Sequence, residues 1–288
     1  MYTEWNQDVY CLIGNPVSKS LSPIIHNNYY KIIRKNNIYL TFNIEEKDLD
    51  NVVKNFKALN IKGFNVTLPH KINIINYLDS ISKEARILGA VNTVNNEKGK
   101  LVGYNTDGIG FIKSLELENI DIKGKTILIL GAGGAANAIS TSLAMEGTKK
   151  IIIGNRTLSK GKKLAIKLKN KFPKVLVEYD NLQLKKIEKG RINMIINCTS
   201  VGMYPNVNIT PISLDGFSYN LIVYDIIYKP IKTKLLELAE TRGYYTINGL
   251  SMLINQALFS QEIWLGKKDN NYAYNYNKIK RILETYVE

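Results

Sequence analysis

The sequence predicts an α/β protein of two lobes, and three observations carry that prediction. A branched apolar run over residues 126–130 leads into the glycine cluster Gly131-Ala132-Gly133-Gly134-Ala135-Ala136 and then into a helix-forming segment ending near Glu146. From there to Gly249, short apolar runs alternate with helical stretches, the pattern of a right-handed and mostly parallel sheet. At 288 residues the chain has room for about two domains, each able to bury its own core.

Strand, tight turn and helix in that order make a Rossmann-type dinucleotide unit. Gly131 allows the sharp turn off the strand, and Gly133 lets backbone N–H groups approach a pyrophosphate. Gly134 and Ala136 are expected to keep the helix close to the sheet. The helix N-terminus adds partial positive charge for the phosphates. The next strand, Lys150–Gly154, ends in Asn155-Arg156-Thr157, about 20 residues beyond the glycines, where such units read the adenosine ribose. A carboxylate there would bond the 2′-hydroxyl and repel a 2′-phosphate. Arg156 and Lys160 supply cations instead, so the reading is NADP over NAD. The plain alternative is a solvated helix start.

Ahead of this unit, Tyr10–Gly14 reads as a strand ending in glycine, followed by a hydroxyl-rich loop through Pro23. Ser22 is expected to cap a helix from Ile24 to Lys35 with Pro23 in its first turn. Ser18 and Ser20 would share a face if the loop is extended, and could then donate to a carboxylate. Tyr39–Ile44 reads as a strand and Glu46–Leu59 as a helix. Gly63–Thr67 is a strand broken by Pro69, with Lys71 at an expected helix start. A cation is awkward in a first turn, which suggests a depressed pKa or an acidic partner, either of use in proton transfer. His70 is left unassigned. A helix over Ser82–Leu88 precedes Asn92 and a hairpin arm ending at Tyr104. Asp107 is either a turn-and-cap residue or the carboxylate that Lys71 needs.

A helix over Ile109–Leu117 crosses into the dinucleotide unit. A domain boundary is therefore expected near residue 108. Beyond Lys150–Gly154 come a Lys-rich helix (Ser159–Lys171), a strand over residues 175–179, a further helix, and the strands read over Met194–Met203, Leu221–Pro230 and Tyr244–Gly249, the first of them ending in small polar residues plus glycine. A helix over Thr233–Arg242 lies between the last two. Leu250–Leu265 and Tyr276–Val287 read as helices.

Composition excludes several classes. No apolar run approaches the roughly 20 residues needed to cross a bilayer. The first eight residues lack a basic start with an apolar stretch, so no signal peptide is read there. Cys11 and Cys198 fall in expected strands without Cys or His neighbours at ligand spacing, so no metal is expected, and a reducing cytoplasm fits. The net charge of +14 is spread along the chain, with denser groups at Lys160–Lys163 and Lys185-Lys186 on expected helix faces. Aromatic residues are not interleaved with them, which argues against nucleic acid as a partner. The same charge favours encounter with anionic cofactors and small acids.

Several motifs, taken in order over nearly the whole length, resemble the shikimate dehydrogenase family. They are Ser18–Pro23, Asn65-Val-Thr67-Leu-Pro-His-Lys71, Gly89-Ala-Val-Asn92-Thr, Asn105-Thr-Asp107-Gly, Gly131–Ala136, Asn155-Arg-Thr157, Asn197-Cys-Thr-Ser-Val-Gly-Met203, Tyr228-Lys-Pro230 and Gly249–Ala257 with Gln256. The resemblance implies reversible reduction of 3-dehydroshikimate to shikimate with NADPH. It implies that Ser18 and Ser20 hold the substrate carboxylate, that Thr67, Asn92 and Gln256 bond ring hydroxyls, and that Tyr228 also contacts substrate. Lys71 and Asp107 would be the catalytic pair. Because Gln256 lies after the dinucleotide unit, the resemblance implies that residues 1–108 with 250–288 form the substrate and catalytic domain and residues 109–249 the dinucleotide domain, with the catalytic cleft between them. Gly131, Ala132, Gly133, Gly134, Ala135, Asn155, Arg156, Thr157 and Lys160 would hold the dinucleotide, with Thr199, Ile226 and Gly249 beside the nicotinamide. The competing readings are a quinate/shikimate enzyme using NAD, a folate dehydrogenase, a non-catalytic NADP-binding regulator and a basic RNA-binding module. The assembly is left open between monomer and homodimer.

Overall fold

The computed structural model describes residues 7–185 and 187–287. Most of the amino-terminal stretch read for a signal peptide, and Lys186 of the Lys185-Lys186 pair, lie outside them. The chain divides into two compact units. One comprises the described residues up to Gly110 together with Ile254–Tyr286, and the other comprises Phe111–Leu253 with Val287.

The first unit holds a six-stranded mixed sheet. Its strands are β1 (Asp8–Gly14), β2 (Asn37–Asn43), β3 (Gly63–Val66), β4 (Ser80–Ile81), β5 (Thr93–Glu97) and β6 (Lys100–Tyr104), in the order β2-β1-β3-β5-β6-β4. β1 runs parallel to both β2 and β3, whereas β5 pairs antiparallel with β3 on one side and with β6 on the other. Alternation sorts the side chains by face. Cys11, Ile13, Phe64, Val66, Val94 and Leu101 pack with Leu49, Val53 and Phe56. Tyr10 lies toward Trp264, whose indole Nε1 donates to the Val94 carbonyl at 2.9 Å. A Cβ at Gly63 would fall on that indole, so the strand needs glycine there.

Several helix limits differ from the sequence reading. α1 is Ser22–Ile32, and its N-cap is Leu21. Ser22 is therefore not the cap. Its own N–H donates to Ser20 Oγ at 3.2 Å, so Ser20 does the satisfying. The segment after β2 begins as a 3₁₀ turn (Glu46–Asp48) before α2 (Leu49–Ala58). Lys71 is in no helical first turn, because the 3₁₀ helix after it starts only at Asn73. α3 (Lys83–Leu88) has the expected Ser82 cap, which accepts from the Ala85 N–H, and the left-handed Gly89 ends it. α4 (Asp107–Leu117) starts at Asp107 rather than Ile109.

The second unit is a parallel sheet of β7 (Thr126–Leu130), β8 (Lys150–Gly154), β9 (Leu176–Asp180), β10 (Met194–Asn197), β11 (Ile222–Asp225) and β12 (Tyr245–Ile247). Its order, β12-β11-β10-β7-β8-β9, is that of two βαβαβ halves wound outward from β7 and β10. Both faces are buried, as an all-parallel sheet requires. Ile127, Ile129, Ile151, Ile153 and Ile196 face one core, and Leu128, Leu130, Ile152, Ile195 and Val223 the other. The connecting helices include α5 (Gly134–Met145), α6 (Leu158–Lys171) and α7 (Lys234–Glu240). The helix expected between β9 and β10 does not form. Among the described residues there, only a 3₁₀ turn at Lys189–Arg191 is regular, and Lys185 is in a turn. Cys198 sits just past β10, not within it. The chain ends with α8 (Leu250–Leu265) and α9 (Tyr272–Val287), the latter starting four residues before the expected Tyr276.

Candidate active site

In the first unit, the strand ends and the turns after them collect most of the polar residues singled out in the sequence. The loop after β1 is pinned to the turn after β3 by Asn15 N–H donating to the Leu68 carbonyl at 2.8 Å. Gly14 lies so close to Thr67 that a Cβ there would collide with the Thr67 methyl group. Ser18 is exposed and Ser20 half-buried, both just ahead of the α1 N-terminus. The loop is not extended. Ser20 N–H turns back to the Val17 carbonyl at 3.0 Å, so a face shared by residues two apart does not describe this pair.

Lys71 lies four residues past Thr67, and its carbonyl accepts from the Val91 N–H at 2.8 Å, bringing it beside Asn92. Its Nζ is 2.6 Å from Asp107 Oδ2, with side-chain exposures of 22% and 13%. Of the two explanations raised for this lysine, the geometry supplies the acidic partner. Asp107 opens α4, and its N–H donates to Asn105 Oδ1 at 3.1 Å. Asp107 Oδ1 accepts from Asn92 Nδ2 at 2.9 Å. Asn92 is 3% exposed, and its other amide hydrogen goes to Thr106 Oγ1 at 3.0 Å. To bond a ring hydroxyl as well, it must give up one of these. Gln256 is half-buried on α8 with its backbone against Gly110, where a Cβ would lie 2.7 Å from the Gln256 nitrogen.

Behind the pair runs a buried network that the sequence reading missed. Asn65 Nδ2 lies 3.0 Å from the Asn92 carbonyl, 3.1 Å from Thr93 Oγ1 and 3.1 Å from Ser260 Oγ. Tyr39 OH donates to Asn65 Oδ1 at 2.7 Å. Asn65, Thr93 and Thr106 stood inside the quoted motifs, so their signal was present. Nothing in the sequence marked Tyr39 or Ser260. His70 is structural: it is fully buried, with Nε2 2.8 Å from the Ile44 carbonyl.

In the second unit the glycine turn lies between β7 and β10, the switch point of the sheet, where dinucleotides bind in this architecture. Gly131 has φ +108°, and a Cβ there would press on the Cys198 carbonyl and the Thr199 methyl group at 3.2 Å. Gly133 and Gly134 face open space. The packing role expected of Gly134 is thus not what it does, since a side chain there would meet no sheet; Ala136, fully buried, fills that role. Ala132 and Ala135 are half-buried beside them. Backbone open on the ligand side, at the start of a 12-residue helix, fits a pyrophosphate. Asn155 is half-buried, and its Nδ2 donates to the Thr157 carbonyl at 2.7 Å. Thr157, Arg156 and Lys160 are exposed at the start of α6.

Thr199 Oγ1 donates to Asn197 Oδ1 at 2.7 Å. Asn197 Nδ2 in turn donates to Asp225 Oδ1 at 3.1 Å. Asp225, fully buried, also accepts from Ile227 N–H at 3.0 Å and Thr233 Oγ1 at 2.7 Å. Burial raises its pKa, while the three donors act in the opposite direction. A lone carboxylate ending an apolar strand was the sequence signal for this residue. It fixes the loops after β10 and β11 and so places Ile226 against Gly249, where a Cβ would fall on the Ile226 carbonyl. Tyr228 is half-buried, and burial raises the pKa of its phenol.

Residues 12–94 match the family described as the shikimate dehydrogenase substrate binding domain, and residues 114–204 match shikimate/quinate 5-dehydrogenase. The chain is 46% identical over 268 residues to a shikimate dehydrogenase (NADP(+)) of Caldanaerobacter subterraneus subsp. tengcongensis, covering 92% of this chain and 95% of that protein. It is similar to the crystal structure of a shikimate dehydrogenase in complex with NADP+, with TM-score 0.90, 40% identity and coverage of 98% and 96% of the two chains. It is also similar to the Listeria monocytogenes shikimate 5-dehydrogenase in complex with shikimate and NAD, with TM-score 0.89, 39% identity and 96% of each chain covered. Among the described residues no helix is long and apolar enough to cross a membrane. With family matches on both units and this identity over nearly its full length, the chain belongs to the shikimate dehydrogenase family.

Proposed function

We propose that Lys71 and Asp107 are the catalytic pair through which this family member carries out its reaction, the reversible NADPH-dependent reduction of 3-dehydroshikimate to shikimate. The observation that carries the assignment is the half-buried contact of 2.6 Å between Lys71 Nζ and Asp107 Oδ2. NADPH supplies the hydride. As it adds to the ketone carbon, negative charge grows on the oxygen, which needs a donor and then a proton. Lys71 Nζ donates a hydrogen bond to that oxygen and delivers the proton, while Asp107 holds the ammonium group in place and accepts from the neighbouring hydroxyl. Such acid–base assistance is worth roughly 10²–10⁴-fold.

Ser18 and Ser20 hold the substrate carboxylate in this reading, helped by the partial positive charge of the α1 N-terminus. Thr67, Asn92 and Gln256 bond ring hydroxyls, and Tyr228 contacts substrate. Gly131, Ala132, Gly133, Gly134 and Ala135 hold the pyrophosphate. Asn155, Arg156, Thr157 and Lys160 take the ribose 2′-phosphate end, and Thr199, Ile226 and Gly249 border the nicotinamide. Residues 1–108 with 250–288 form the substrate domain, and residues 109–249 the dinucleotide domain.

The test is absorbance at the reduced-nicotinamide band with purified protein, shikimate and NADP, run beside quinate and beside NAD. Growth of the band with shikimate and NADP is expected. No turnover with shikimate, or faster turnover of quinate, overturns the reading. The enzyme is read as cytoplasmic, in keeping with two free cysteines, and light scattering distinguishes monomer from homodimer.

A further inference from the structure

We propose that Asn92 is a positioning residue for the Lys71–Asp107 pair, and that the backbone amide of Thr106 fixes which way its carboxamide faces. The inference rests on the reading of that pair as the reacting groups. A backbone N–H can only donate. The atom of Asn92 that the Thr106 N–H meets at 2.8 Å is therefore its oxygen, and Thr93 Oγ1 donates to the same oxygen at 3.0 Å. The amide nitrogen must then face Asp107 Oδ1, 2.9 Å away. With Lys71 Nζ at Oδ2, both oxygens of the carboxylate meet a donor, which fixes its plane.

This matters because a lysine ammonium group sits on a flexible stem and takes its position from its partners. Asn92, Thr93, Thr106 and Ser260 are 3%, 0%, 2% and 0% exposed, so water has little access to replace a lost bond. The chain of orientation runs from the Thr106 backbone to Asn92, then Asp107, then Lys71. Asn92 acts through Asp107 rather than on the ketone.

The experiment is the pH profile of kcat/KM for shikimate oxidation at saturating NADP. In N92D a carboxylate oxygen replaces the donor, and two facing carboxylates share one proton. We expect the acid limb to move up by about one pH unit or more, and kcat to fall roughly tenfold or more, with NADP affinity retained. N92A, which adds no charge, should lower kcat by a larger factor than it raises the shikimate KM. T106V keeps the backbone N–H and loses only the hydroxyl, so its acid limb should stay in place. An unmoved limb in N92D, or an equal movement in T106V, overturns the inference. If N92D does not fold, an equal loss of kcat in N92A and T106V overturns it. K71A, measured alongside, separates the two levels: if it keeps more than half of kcat, the pair itself was misread, whereas a crippled K71A with an unmoved N92D limb removes only the role of Asn92.

Discussion

An ammonium group at the end of four methylenes does nothing useful until something holds it, and for Lys71 the holder is Asp107. The residue type and motif pointed to this lysine, but its stated awkwardness at a helix start was wrong in its premise, since no helical turn begins there. The acidic partner, 36 residues away, was right. Lys71→Ala should lower kcat by roughly 10²–10⁴-fold and leave NADPH affinity near wild type, as followed by steady-state kinetics and cofactor fluorescence. At the other end of the reaction, Arg156→Asp sets a carboxylate where the 2′-phosphate is expected. The ratio of NADPH to NADH kcat/KM should fall by about tenfold or more. An unchanged ratio would mean that Arg156 is only a solvated helix residue.

At the scale of elements, glycines and buried carboxamides set the spacing between strand ends. Gly249 follows β12 and leaves no room for a methyl group over the Ile226 carbonyl. Gly249→Ala must displace backbone after β11, an overpacking effect of about 1–3 kcal/mol. Thermal unfolding should show that loss together with weaker NADPH binding; a variant with wild-type melting and affinity would mean that the contact is slack. At the sheet edge, Asn27 pairs its side chain with the backbone of Tyr39, donating to its carbonyl at 3.0 Å and accepting from its N–H at 2.8 Å. The outward groups of one β2 residue are thereby closed to another strand. Short apolar runs, many of them branched, made most strands legible. Helix starts were less so, because Ser20, Ser22, Asn105 and Asp107 all carry capping side chains, and only folded geometry selects among them.

At the scale of the whole molecule, acid stability follows from a histidine the reaction does not use. His26 is fully buried, stacked on Tyr39 at 4.2 Å, with Nδ1 2.7 Å from Gln261 Nε2. Burial pushes its pKa from 6.5 down to about 3. The folded chain thus binds fewer protons than the unfolded chain between those values, so stability is full above pH 6.5 and falls as the pH drops toward 3. The loss is at most on the order of 5 kcal/mol over that window. His26→Gln removes the titrating group, and its melting temperature should fall less between pH 7 and pH 4 than that of wild type. Parallel curves for the two proteins would assign the acid sensitivity elsewhere. The net charge of +14 acts at the same scale: it should raise the encounter rate with an anionic dinucleotide, an effect that added salt screens.

What the sequence determined by itself is whatever is local or repeats with a short period: the alternating strands, the glycine turn, the order of the motifs and the residue types needed for acid–base chemistry and a 2′-phosphate. These depend on neighbours a few residues apart, so they can be read from the chain. The tertiary structure alone decided which donors face which acceptors. Tyr39, Asn65, Thr93, Thr106 and Ser260 gather behind Asn92 from strands, a turn and the late helix α8, with Ser260 lying 195 residues from Asn65. A hydrogen bond depends on distance and direction in space, and no pattern along the chain encodes either.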